Sequence, residues 1–122
     1  MKAGLEKNLK ENALKWLRTI PESKWLKRHG NAYTEAGNPD IEGCIKGIHV
    51  EIELKKPGEK PDGLQLVRIE EWKKAGAVAF WTDNLADLRK KMFFELVAKG
   101  IFLRTETGER HTTESWNKRN QT

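Results

Sequence analysis

Residues 37–58 read GNPDIEGCIKGIHVEIELKKPG, and the fold turns on how this stretch is divided. Ile41, Cys44 and Ile45 form a short apolar run, Lys46-Gly47 is a turn signal, and apolar residues then recur at 48, 50, 52 and 54. Alternation of that kind marks a strand with one buried face, so two strands joined by a tight turn are expected. Strand side chains alternate between faces, which puts Val50, Ile52 and Leu54 on the core side and His49, Glu51, Glu53 and Lys55 on the other. Glu53 and Lys55 then lie on one side of the sheet, roughly 6 to 7 Å apart. Asp40, on the neighbouring arm, can stand opposite Glu53. Gathered this way, the two carboxylates offer hard oxygen ligands for a divalent cation beside a lysine able to handle a water.

Upstream, Leu5, Leu9, Ala13, Leu14, Trp16 and Leu17 recur at helical spacing, so an amphipathic helix is expected over residues 4–18, ended by Pro21. From Trp25 to Asn38 the pattern is weaker, with a short strand expected around 32–35. Downstream, Lys56 to Pro61 is a loop on composition. Asp62-Gly63-Leu64-Gln65 opens a helix whose expected buried stripe is Leu66, Ile69 and Trp72, closed by Gly76. Residues 77–81 form a strand expected to pair in parallel with 48–55 through the helical crossover. The Thr82-Asp83-Asn84 group caps a last helix carrying Leu85, Leu88, Met92, Phe93 and Leu96, stopped by Gly100. A short edge strand is expected at 101–103. The fold class is therefore α/β, a central mixed sheet flanked by helices in the order α-β-β-β-α-β-α. Residues 1–104 are expected to form one domain and residues 105–122 a polar C-terminal tail.

A chain of 122 residues suits a single domain. Lys plus Arg number 23 against 18 Asp plus Glu, a net charge of +5, which favours an anionic partner such as nucleic acid or an anionic membrane surface. No run approaches the ~18 apolar residues of a membrane span and no secretory leader opens the chain, so a soluble cytoplasmic protein with no membrane partner is expected. The single cysteine, Cys44, excludes an intrachain disulfide and a cysteine-rich zinc site, and its apolar setting suggests a small buried hydrophobe. His49 and His111 lack partners at metal-ligand spacing.

The quoted run, with Gln65 near a helix start and the strand AGAVAFW at 75–81, resembles the PD-(D/E)xK nucleases and, more narrowly, the stand-alone VRR-NUC domains typical of bacteriophages. The likeness covers about residues 5–98 and rests on order and spacing together: a helix with Glu, then Pro39-Asp40, then Glu53-Leu54-Lys55, then a helix Gln. It implies a restriction-endonuclease-like fold, Mg2+ or Mn2+ as cofactor, and phosphodiester cleavage of DNA. It also implies a homodimer that resolves four-way (Holliday) junctions, working in the host cytoplasm if phage-encoded.

Carried over residue by residue, the resemblance implies that Asp40 and Glu53 bind metal, with the backbone carbonyl of Leu54 and a helix glutamate, Glu6 ahead of Glu11, completing the ligands. Lys55 would orient or deprotonate the attacking water, and Gln65 would contact that water or the phosphate. Each residue has an alternative. Asp40 fits a turn, Glu53 a solvated strand face, Lys55 a simple pair with Glu53, and Gln65 a capping box with Asp62. Glu51 shares the face of Glu53 and could substitute for it. Lys24, Lys27, Arg28, Lys56 and Lys60 are candidate phosphate contacts. Trp25, in a basic stretch, is the tryptophan expected to touch DNA, whereas Trp16, Trp72 and Trp81 read as core. Two rival functions share these residues: a non-catalytic DNA-binding module of the same fold, and a partner-binding protein that uses its amphipathic helices.

Overall fold

The computed structural model of the chain describes residues 2–30 and 34–101, with side chains from Asn8 onward. In chain order the elements are α1 (Lys2–Leu17), β1 (Ser23–Lys27), β2 (Ile41–Ile45), β3 (Ile48–Leu54), α2 (Gly63–Lys74), β4 (Val78–Thr82) and α3 (Leu85–Ala98). This is the expected α-β-β-β-α-β-α order. The strands form one mixed sheet in the order β1-β2-β3-β4, antiparallel except for the β3–β4 pair, which α2 bridges as a crossover. Among the described residues no helix is long and apolar enough to cross a membrane.

The hairpin of β2 and β3 closes through Lys46 and Gly47, both with positive φ (48° and 86°). Two such residues suit the right-handed twist of flanking strands, and glycine adopts the conformation without a Cβ clash. One sheet face carries Ile41, Ile45, Val50, Ile52, Leu54, Val78 and Phe80. It packs on Ala13, Leu14 and Leu17 of α1 and Leu88, Met92 and Leu96 of α3 to make the core. The opposite face carries Glu42, Cys44, His49, Glu51 and Glu53 in register, and α2 lies over part of it, with Trp72 stacked against His49 at a ring separation of 4.8 Å.

Four expectations need correction. The strand expected at 32–35 is instead β1, whose near end, Lys27, lies five residues upstream; Thr34 and Glu35 are not strand, and 31–33 lie outside the described residues. Trp25 is buried at 3% exposure rather than free to touch DNA. It faces Gly43 across β1–β2, where an added Cβ would stand 2.2 Å from its ring, so this mid-strand glycine makes room for the indole. Cys44 is exposed, because Ile41 and Ile45 claim the inner face of β2 and the two-residue period turns Cys44 outward. Leu66 is 45% exposed, since Gln65, Ile69 and Trp72 take the sheet-facing stripe of α2. Of the edge strand expected at 101–103, Ile101 is buried but not in a strand. The rest of it and the tail lie outside the described residues.

Candidate active site

Asp40 immediately precedes β2, and Ile41 pairs with Ile52, so the same register sets Asp40 opposite Glu53. The backbone around it is tightly held. Asp40 Oδ2 accepts the Leu54 amide at 2.9 Å, and its carbonyl accepts the Arg28 amide at 2.7 Å. Those bonds fix the carboxylate at the end of β3. Lys10 of α1 approaches Asp40 Oδ1 at 3.7 Å.

Glu53 is not the solvated strand residue of the alternative reading, since it is 2% exposed. Burial pushes its carboxyl up to about 9 from the ordinary 4.5. The hydrogen bond and negative charge of Asp40 add to the rise, and Lys55 and Lys10 oppose it. Its Oε2 is buried with no hydrogen-bond partner among the described residues. A buried carboxylate oxygen left in that state is costly, and a bound cation is the partner that would relieve it. Two adjacent carboxylates, a set of hard oxygens that includes the unbonded Glu53 Oε2, fit Mg2+ or Mn2+. Among the described residues no third His, Cys, Asp or Glu joins them. The side chain of Glu6 lies outside the described residues, and Glu11 is exposed.

Lys55 follows Glu53 on the same face, and its Nζ donates to Gln65 Oε1 at 3.1 Å. The same Oε1 accepts the Asp62 amide at 3.0 Å, while Asp62 Oδ1 accepts the Gln65 amide at 2.9 Å. Gln65 therefore closes the foreseen capping box with Asp62, and the same side chain also reaches the lysine beside the acid pair. With Oε1 committed twice, the amide nitrogen is the side-chain group of Gln65 left to donate to a ligand.

Glu51 is fully buried and fully engaged. Arg28 donates to both its oxygens, at 2.6 and 3.1 Å, and His49 Nε2 lies 2.5 Å from Oε2. Both its oxygens are thus spoken for by protein groups, whereas Glu53 Oε2 has no partner among the described residues. Arg28 also binds Glu42 Oε2 at 2.5 Å and the Pro39 carbonyl at 2.7 Å, so its guanidinium is committed inside the fold rather than offered to phosphate. Burial works against its charge, but the bonds and charges of Glu51 and Glu42 more than offset that and raise its pKa. Lys24 and Lys27 are exposed on edge strand β1; Lys60 is exposed and Lys56 half-buried in the loop after β3.

The structure thus gathers Asp40, Glu53, Lys55 and Gln65 in one place and adds Lys10, which sequence reasoning missed. The available signal was spacing: Lys10 follows Glu6 by four residues, one helical turn. Arg28 as an internal anchor was also missed, because its partners lie 14 and 23 residues away.

A helix, an antiparallel three-strand meander, a crossover helix to a parallel fourth strand, and an acid pair where the second and third strands meet define an α/β fold of restriction-endonuclease type. The fold is that of a VRR_NUC domain. A solved structure titled "VRR_NUC domain" matches with a TM-score of 0.61 at 22% identity, over 71% of this chain and 92% of that one. No family model matches the sequence, and no curated protein matches it. The resemblance read from residues 37–81 is therefore borne out at the level of the fold.

Proposed function

We propose that this chain is a metal-dependent DNA endonuclease that hydrolyses phosphodiester bonds with Mg2+ or Mn2+. The observation that carries this reading is the buried Oε2 of Glu53, without a partner among the described residues, beside Asp40. Asp40 and Glu53 would hold the cation, with the Leu54 carbonyl beside them and Glu6 as the helix ligand. The cation would supply Lewis-acid polarisation of the phosphate and a more acidic water. Lys55, tethered by Gln65, places an ammonium where charge develops on the phosphate and can hydrogen-bond the attacking water. The Gln65 amide nitrogen can donate to a phosphate oxygen. Lys24, Lys27, Lys56 and Lys60 would contribute sequence-independent attraction to the backbone.

Selectivity for branched DNA such as four-way junctions, and action as a homodimer, belong to the same proposal. A monomer of this size presents one active site and cannot make the paired cuts a junction needs, whereas a two-fold dimer can. The test is incubation of the purified protein with four-way, flap and linear DNA in Mg2+, Mn2+ or EDTA. Cleavage is expected only with metal, fastest on branched substrates, and lost in Glu53→Ala. Cleavage surviving EDTA or that substitution overturns the mechanism. Salt-sensitive binding without cleavage under any metal would identify a non-catalytic DNA-binding module.

A further inference from the structure

Beside the acid pair Asp40/Glu53 lies a second one. Glu42 and Glu51 are direct partners across β2 and β3, two residues further along each strand and on the same face. Like charges directly opposite on a sheet repel, and Glu51 is fully buried, so the arrangement stands only with a cation between the two. Arg28 is that cation. One arm of its guanidinium takes Glu51 Oε1 and the Pro39 carbonyl, at 2.6 and 2.7 Å. The other takes Glu42 Oε2 and Glu51 Oε2, at 2.5 and 3.1 Å. The Arg28 backbone amide meanwhile donates to the Asp40 carbonyl at 2.7 Å.

A single residue therefore grips the residue before Asp40, the carbonyl of Asp40 itself, and both strands that carry the acid pair. We infer that Arg28, locked by Glu51, is a positioning residue that sets the Asp40 carboxylate against Glu53 for metal binding. This rests on the metal reading of that pair. It also assigns Glu51 a role: the counter-charge of the arginine, not a metal ligand. The role requires the fork of arginine and not merely its charge, because four acceptors at two arms exceed what one ammonium can meet with fixed geometry. Groups that orient a ligand in this way typically change metal affinity by about 10- to 100-fold when altered.

Two readouts test the assignment without nuclease activity. The first is the affinity of the full chain for Mn2+ alone, by calorimetry. The second is hydrogen exchange at the Leu54 amide, which donates to Asp40 Oδ2 and so reports where that carboxylate sits in the metal-free protein. Arg28→Lys is expected to weaken Mn2+ binding by about tenfold or more. It should also speed exchange at Leu54 relative to Ile52, which is anchored in the ladder. Glu51→Gln, which keeps the size of the side chain, should shift both measurements in the same direction, and it serves if Arg28→Lys does not fold. A residue that only stabilises the fold would lower the unfolding temperature of the metal-free protein and leave both readouts as they are, which would overturn the proposal. If the unaltered chain itself binds no Mn2+, the metal reading falls and this assignment with it. Binding by the unaltered chain that both variants retain in full removes the positioning role alone.

Discussion

Two acid pairs stand side by side on the same face of β2 and β3, and they have been treated in opposite ways. Glu42 and Glu51 enclose an arginine fork, and every oxygen of the buried Glu51 is bonded. Asp40 and Glu53, two residues along, have the half-exposed Lys10 at 3.7 Å from Asp40 and a Glu53 oxygen with no partner among the described residues. Neighbouring positions, carboxylates in both pairs and similar burial give one cluster whose buried oxygens are bonded and one with an oxygen left without a partner among the described residues. Burial of a glutamate in this fold is therefore no mark of function by itself. What separates scaffold from site is whether the protein completes the hydrogen bonding.

Substitutions should pull the two pairs apart most widely in activity. Glu53→Gln is expected to lower the cleavage rate by about a thousandfold or more, roughly 4 kcal/mol of transition-state stabilisation, while leaving the metal-free fold intact. Single-turnover cleavage and thermal unfolding on the same preparation check both halves, and a large loss of stability in Glu53→Gln would break the contrast. Glu51→Ala should damage the fold as well as metal binding, unlike Glu53→Gln. Removing one partner of a buried ion pair costs about 3 kcal/mol, here a drop of roughly 10 °C in Tm, as Arg28 and His49 lose their acceptor.

A smaller effect distinguishes the pairs through pH. Native Glu53 titrates near 9 while an ordinary glutamate titrates near 4.5, so between those values the folded chain holds a proton the unfolded chain has released. Stability from this group is full below about 4.5 and is lost as pH rises through about 9. Thermal unfolding of the metal-free protein from pH 5 to 9 should show that decline, and Glu53→Gln should flatten it. A cation needs the carboxylate, so metal affinity should rise over the same interval, measured as a growing Mn2+-induced increase in Tm. At a metal concentration 100 times Kd that increase corresponds to about 2.7 kcal/mol. A metal effect independent of pH would mean that Glu53 is not the ligand.

The hairpin and its acid–lysine set were legible because β3 alternates through seven residues and Lys46-Gly47 announces the turn. β1 was not, because only Trp25 of its five residues is buried. One inward residue makes no period, and its basic neighbours invited a nucleic-acid reading. Gly43 held the clue to Trp25, since a glycine in mid-strand signals a large side chain passing over it. On α2 the polar Gln65 occupies the first inward position, so an apolar-only stripe shifted the face to Leu66. The assignment of Glu51 depended on Arg28, 23 residues distant, and strand alternation says nothing about a partner arriving from another strand's end.

The Gln65 oxygen shared between the Asp62 amide and Lys55 makes the start of α2 and the placement of the lysine a single event. Helix ends open locally far more often than a sheet melts. Each time that first turn frays, the lysine loses its tether although the strands beneath it remain paired. Heating should therefore untether Lys55, and slow the proposed cleavage, several degrees before the chain unfolds, so the most fragile part of the proposed site is a helix cap rather than its acidic pair.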